Sequence, residues 1–466
     1  WPNGRLTVVD GVQANHLYEI EEASAIASPP AAADPRATGT PAGTGPAAPV
    51  PGGAPWFAEA AGAWAHRHGE DADDDLAQEP LAIRRYGWLG PGLALADVDG
   101  DGLTDAVAGA SRGEKVRWYR GDGRGGLAEA GALDNPFPAD TAGPLVVRTA
   151  ADATWLVLGS LEAGEGAGSR VAAYRWRDGQ WVAGPVLGPE PGEWAVAPGR
   201  TLAAADVDGD GRVEFFLGGL RRAGLGEGRG QSCLWNLSAT GWVRGRAVEV
   251  GYSAAGRVQA AVLADLDGDG TVELATAGEW GAVTVASTGP GSRARAVPAR
   301  RGWWQSLAVA DFDGDGQLDL VAGNWGLNSR WAIWGDGRPR AFLGDFEGNG
   351  VPLVLEAWAA AGDAGWRPWR DLETLAAAWP SVRARFPSHA AFARATAEEV
   401  LGPARARALG VATDTLASHL FLRRGEGYQP EALPAPAQWA PVFGLAVADF
   451  DGDGREDLFL GQNDSG

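Results

Sequence analysis

At 466 residues, 45% of them hydrophobic, the chain can bury a large core. Its 60 acidic residues against 39 basic ones give a net charge of −21, which argues against nucleic acid or an anionic membrane surface as a partner. Cys233 is the only cysteine, so no internal disulfide can form, and no apolar run reaches the length of a transmembrane helix.

The chain opens at Trp1 without a signal-peptide pattern and contains no Met, so it reads as a fragment. Residues 23–55 are rich in Ala, Pro and Gly without apolar periodicity, the composition of a disordered linker. His66 and His68 stand two apart and could share one strand face around a transition metal. An ordinary surface placement beside the acidic run from Glu70 to Asp75 is the simpler reading.

From Asp97 a short acidic element recurs. It reads DVDGDGLTD at Asp97, DVDGDGRVE at Asp206, DLDGDGTVE at Asp265, DFDGDGQLD at Asp311 and DFDGDGRED at Asp449. Ca²⁺ is a hard cation that takes six to eight oxygens, and this spacing supplies them. Positions 1, 3 and 5 give Asp97, Asp99 and Asp101; Asp206, Asp208 and Asp210; Asp265, Asp267 and Asp269; Asp311, Asp313 and Asp315; and Asp449, Asp451 and Asp453. Position 7 offers a backbone carbonyl, from Leu103, Arg212, Thr271, Gln317 and Arg455. Position 9 adds an acid: Asp105, Glu214, Glu273, Asp319 and Asp457. Gly at position 6 permits the sharp turn. A sixth copy keeps Asp345, Glu347 and Asn349 but carries Leu353 at position 9, and is expected to be weak or empty.

An EF-hand would need an acid at position 12, where this chain has Ala108, Leu217, Thr276, Ala322 and Leu460. The flanks are short apolar runs bounded by Gly, which predicts strands on both sides of each loop. Four acids in each of five loops make twenty carboxylates. About five bound Ca²⁺ would bring the net charge from −21 to −11, so much of the acidity is metal-site acidity.

The first residues of successive loops lie 109, 59, 46, 34 and 104 residues apart. Periods of roughly 40–60 residues with several strands each predict propeller blades. The longest gap fits two blades, the second being PLVVRTAADATWLVLGS (Pro144 to Ser160), which has the strand-turn-strand shape without the acids. The last gap holds a helical insertion over about 370–412. Asp371 can cap a helix through Leu372, Leu375, Ala376 and Trp379, which Pro380 ends. A second helical stretch runs from Ser388 to Leu401 and a third follows Pro403. The expectation is an all-β chain with a propeller of seven blades over 56–466, the insertion interrupting the sixth and the last cut short. A linear solenoid is the alternative, but ring closure better protects edge strands.

At these residues the chain resembles the FG-GAP/VCBS repeats of integrin-α-type propellers. Asn324-Trp325-Gly326-Leu327-Asn328-Ser329, the DFEGNG loop, Arg370-Asp371-Leu372 and the final AQWAPVFGLAVADFDGDGREDLFLGQN resemble bacterial VCBS proteins related to cartilage acidic protein. The opening WPNGRLTVVDGVQANHLYEIEE, residues 1–22, is similar to the end of an ASPIC/UnbV domain. The resemblance implies a secreted, periplasmic or cell-surface module that uses its loops to bind a protein or glycan.

No catalytic motif stands out: there is no nucleophile elbow, phosphate loop, H-E-x-x-H or C-x-x-C. Asp363, Asp371 and Glu373 in the insertion are the acids least explained by metal binding. Most of the 22 Trp are expected to pack between blades, as at Trp118, Trp155, Trp176 and Trp331; Trp325 is the candidate for an exposed rim. Three functions stay open: a calcium-stabilised, monomeric binding propeller, a polysaccharide lyase or glycoside hydrolase on that scaffold, and a structural module of a longer surface protein.

Overall fold

The computed structural model of the chain describes residues 92–137, 143–149, 153–160, 171–187, 196–221, 232–238, 241–248, 258–289, 295–334, 338–351, 353–359 and 365–462. It also describes 5–6, 26–27, 64–69, 81, 83 and 140–141. Two compact units divide the chain, Trp1–Ala58 and Glu59–Gly466. In the first, β1 (Arg5–Leu6) pairs antiparallel with β2 (Ile26–Ala27), at the head of the stretch read as linker. Otherwise residues 1–22 and 23–55 lie outside the described residues.

In the second unit every acidic loop joins the first two strands of an antiparallel sheet. β3 (Leu93–Ala96) and β4 (Asp105–Ala108) flank the Asp97 loop, and β5 (Lys115–Gly121) and β6 (Leu127–Asp134) complete the sheet. The acid-free sheet follows as expected: β7 (Leu145–Arg148), β8 (Thr154–Gly159), β9 (Val171–Arg177) and β10 (Gln180–Leu187). β11 (Val196–Ala205), β12 (Glu214–Arg221), β13 (Ser232–Ser238) and β14 (Gly241–Val248) carry the Asp206 loop. β15 (Val258–Ala264), β16 (Glu273–Ser287) and β17 (Arg295–Trp303) carry the Asp265 loop.

The Asp311 loop lies between β18 (Ser306–Ala310) and β19 (Asp319–Gly323), and there the chain leaves its sheet. It forms α1 (Arg330–Trp334), β20 (Arg340–Gly344), β21 (Leu353–Trp358) and β22 (Arg367–Pro368). Four short helices come next: α2 (Leu372–Ala378), α3 (Ser381–Arg385), α4 (His389–Arg394) and α5 (Ala397–Leu401). A 3-10 helix (Gly402–Arg407) and β23 (Leu409–Ala412) close this excursion, and β24 (His419–Arg424) and β25 (Gly427–Ala432) return to the sheet left behind. β19 pairs directly with β24, giving the order β18-β19-β24-β25, while β22-β21-β20-β23 form a separate sheet. β26 (Val442–Ala448) and β27 (Asp457–Gln462) make a two-stranded sheet around the Asp449 loop.

Each of the seven expected units is a sheet among the described residues, but the strand order corrects their succession. The Asp345 loop, between β20 and β21, does not follow the Asp311 unit; it is nested inside it, between that sheet's second and third strands. Six sheets touch in series instead: β3 meets β7, β8 meets β11, β11 meets β15, β15 meets β18, and β18 meets β26. The helices do interrupt the Asp345 sheet as expected, between β22 and β23, with the Asp371 side chain accepting from Thr374 N at 2.9 Å. The second helical stretch is two helices, because Thr396 starts α5 with its own capping box.

The core lies between the sheets. Side chains alternate along a strand, so a strand covered on both faces serves two neighbours. In β8, Leu156 and Leu158 pack toward Val107 and Trp118, while Trp155 and Val157 pack toward Phe215 and Leu217. In β12 the next residue, Phe216, turns the other way, to Leu234, Val258 and Leu274. The excursion has its own core, where Leu372, Leu375, Trp379 and Val400 cover Phe342 and Leu355. No helix among the described residues is long and apolar enough to cross a membrane.

Candidate metal centres

Each full loop is held in one conformation by its own acids. In the Asp97 loop, Asp97 Oδ1 accepts from Gly100 N at 2.7 Å and Oδ2 from Gly102 N at 3.0 Å. Asp99 Oδ1 accepts from Asp101 N at 3.2 Å, and Asp101 Oδ1 from Leu103 N at 2.8 Å. The same bonds recur around Asp206, Asp265, Asp311 and Asp449. Two glycines make this possible, not one. Gly268 and Gly270 have φ of 73° and 87°, and positions 4 and 6 of the other loops match them. An L-residue at either would be strained.

In all five loops the acids at positions 1, 3 and 5 each offer one oxygen within 4.8 Å of the others. Ca–O bonds of about 2.3–2.6 Å allow two ligands of one ion to stand up to about 5 Å apart, so each triad can share one calcium. The donor set is all oxygen and anionic, as a hard cation requires. Calcium would be held by these three carboxylates, with the position 7 carbonyls of Leu103, Arg212, Thr271, Gln317 and Arg455 beside them in sequence.

The position 9 acids behave differently. Asp105 and Asp319 are fully buried, and Glu214 and Glu273 nearly so. Each accepts the amide of loop position 2, from Val98, Val207, Leu266, Phe312 and Phe450. Asp105 and Asp319 also accept an amide from the third strand, Gly121 N at 3.0 Å and Arg423 N at 2.6 Å. These acids staple loop to sheet. Burial raises the pKa of Glu273 to about 7, with Asp267, Asp269 and Asp265 adding to it and the Leu266 amide opposing. Burial likewise raises Glu214 and Asp319.

The sixth loop is built otherwise. Asp345 keeps the position 1 bonds to Gly348 N and Gly350 N. Glu347, however, accepts from Ser381 N of α3 at 2.9 Å. Arg407 donates to the carbonyls of Asp345 and Phe346 at 3.1 and 2.9 Å. Glu347 is spent on the helical insertion, and Arg407 ties down the carbonyls of the first two loop residues.

Other sequence candidates are tied into structure. His66 Nδ1 lies 2.8 Å from Tyr119 Oη and its ring stacks on Trp64, while His68 faces Ser111. Glu373 pairs with Arg383 and His389, and Asp363 lies outside the described residues. Trp118, Trp155 and Trp331 are buried. Trp325 is not an exposed rim residue: it is half-buried and stacked on Trp303 at 4.4 Å, because the excursion folds back over it. Unforeseen was Glu356, buried with both oxygens on Arg330 Nη2 and one on Trp331 Nε1. Burial pushes its pKa up, against the pull of Arg330.

With this geometry in place, comparison with known proteins adds one family. Residues 265–322, which hold the Asp265 and Asp311 loops, match the FG-GAP-like repeat. No curated protein matches the chain. Among solved structures, it is similar to an endo-arabinase from Bacteroides thetaiotaomicron, at 13% identity and a TM-score of 0.34 over 50% of this chain and 88% of that one. It is also similar to a protein of unknown function from Dyadobacter fermentans, at 12% identity and a TM-score of 0.34 over 50% of this chain and 75% of that one.

Proposed function

We propose that the chain is a calcium-stabilised β-propeller module that binds a protein or glycan outside the cytoplasm. One observation carries this reading: five loops of identical build sit at the same place in five sheets, each converging three carboxylates. The sheets touching in series are its blades, the Asp345 sheet with its helices is an insertion in one blade, and residues 1–22 and 23–55 are the end of an ASPIC/UnbV-like domain and a tether. Extracellular calcium, at millimolar levels, suits loops without a bidentate position 12 acid.

The reading is of a binder, not an enzyme. Three buried or paired acids outside the loops have structural partners: Glu356 has Arg330, Asp414 has Arg301, and Asp371 caps α2. Isothermal titration of the calcium-stripped chain tests the proposal, with about five ions bound at Kd of roughly 10⁻⁴ to 10⁻³ M as the expected result. Heat uptake indistinguishable from buffer would refute it.

A further inference from the structure

The five full loops share one internal scaffold but differ in the cations that reach their acids, most closely at the second oxygen of the position 3 acid; in the Asp97 loop Arg148 Nη1 also stands 3.8 Å from Asp97 Oδ2. In each loop Oδ1 of that acid accepts the position 5 amide. In two loops Oδ2 carries a guanidinium. Arg120 Nη2 stands 2.5 Å from Asp99 Oδ2, and Arg424 Nη2 stands 2.6 Å from Asp313 Oδ2. Arg424 also reaches Asp315 at 3.4 Å, through Nη1. At Asp208, Asp267 and Asp451 no arginine of the described residues reaches this oxygen.

The two arginines stand at different positions along the third strand, so the arrangement is not a by-product of repetition. Arg120 precedes Gly121, whose amide bonds Asp105; Arg424 follows Arg423, whose amide bonds Asp319. In the Asp206 sheet the register opposes Glu214 to Asn236, a neutral residue at the place corresponding to Arg120. Both guanidiniums therefore approach the carboxylate triad from the third strand, over the edge of the loop.

We infer that Arg120 and Arg424 are affinity-setting residues that make the Asp97 and Asp311 loops the weak calcium sites among the five. The inference rests on the calcium reading above. A divalent ion at either loop must share Asp99 or Asp313 with a fixed positive charge or push it aside. Both terms oppose binding: an ion pair is lost, and the cation is left near a second cation. The arginine also replaces part of the ion's role when calcium is scarce, by neutralising carboxylates that would otherwise repel. Calcium occupancy is then graded. The Asp206, Asp265 and Asp449 loops fill first, and the Asp97 and Asp311 loops fill only as calcium approaches the upper end of the range.

The test is flow dialysis of radioactive calcium on the whole chain and on Arg120→Gln, Arg424→Gln and the double variant. Arg117→Gln, which removes a half-buried arginine of the same strand as Arg120, paired with Glu129 of β6, is the control. Wild type should show two binding classes, with two ions in the weaker one. Each arginine variant should move one ion into the tighter class, tightening it roughly three- to tenfold, and the control should move none. Unchanged or weakened binding in both variants overturns the inference while leaving the calcium reading standing. No binding by any form overturns that reading. Each arginine is tested at its own loop, so a folding failure in one variant, seen by circular dichroism, leaves the other decisive.

Discussion

Asp319 accepts the backbone amide of Arg423 through Oδ1 at 2.6 Å and that of Phe312 through Oδ2 at 3.0 Å. Asp319, which the sequence offers as a calcium ligand, thereby also ties the loop to the third strand. Asp319→Ala should cost about 2–4 kcal/mol in EDTA, because two amides lose their acceptor. Asp267→Ala, at an exposed position 3, should cost little in EDTA and several-fold in calcium affinity. Urea unfolding of both variants with and without calcium checks this; equal losses in EDTA would contradict it.

Calcium should stabilise the unit as a whole. Binding to the native state alone contributes RT ln(1 + [L]/Kd) per site, about 1.4 kcal/mol at ten times Kd. Five independent sites would give roughly 7 kcal/mol, comparable with the whole stability of many domains, about 5–15 kcal/mol. Adding EDTA should lower the melting temperature by many degrees, measured by differential scanning calorimetry.

The Asp345 loop should not answer to calcium. Its Glu347 is held by Ser381 N and its carbonyls by Arg407. Asp345→Asn should leave calcium stoichiometry unchanged, whereas Asp265→Asn should remove one ion. Arg407→Ala should destabilise the protein equally with and without calcium. Titration calorimetry of the first two, and melting of the third, measure these outcomes.

Stability should fall on mild acidification through His419. The ring is buried against Trp304 and Phe421, its Nδ1 2.8 Å from the carbonyl oxygen of Ala417, and burial holds its pKa below the ordinary value of 6.5. Folding keeps it neutral while the unfolded chain takes up a proton. The contribution is therefore full above pH 6.5 and is lost as pH falls from there toward the lowered folded pKa. The slope from this one site approaches about 1.4 kcal/mol per pH unit. His419→Phe should flatten the stability profile between pH 5 and 6.5 in denaturant melts; an unaltered slope would exclude this residue.

The loops were legible because a metal writes its demand locally: alternating acids, with glycines where φ turns positive. The acid-free β7–β8 pair was legible from its flanks, and α2 from its Asp371 cap and apolar spacing. The nesting was not. Leu320 opposite Phe421 is a pairing between segments separated by a whole sheet and several helices, and neither segment carries a local mark of it. The same limit hid Asn324, whose Oδ1 accepts from Trp303 N and Trp325 N while its Nδ2 donates to Thr415 and Ala417 carbonyls. Arg120 and Arg424 were missed because each reaches its acid across a strand, not along the chain. Trp325 was misplaced because its sequence context is the same whether its ring faces solvent or Trp303.

The nested excursion also sets an order of events at the ribosome. β18 and β19 emerge early, but the strand that covers the edge of β19 follows only after the segment between Asn324 and Ser418 has been made. At about 5–20 residues per second, that edge waits roughly 5–20 s without its partner. An uncovered edge of this kind invites pairing with a foreign strand. The excursion carries its own core around Leu372 and Trp379, so it can collapse during the wait and bring Ser418 beside Asn324. Slowing translation within this segment, or unfolding it by mutation at Leu375, should thus surface first as aggregation of nascent chains, before any loss of calcium binding in the protein that does fold.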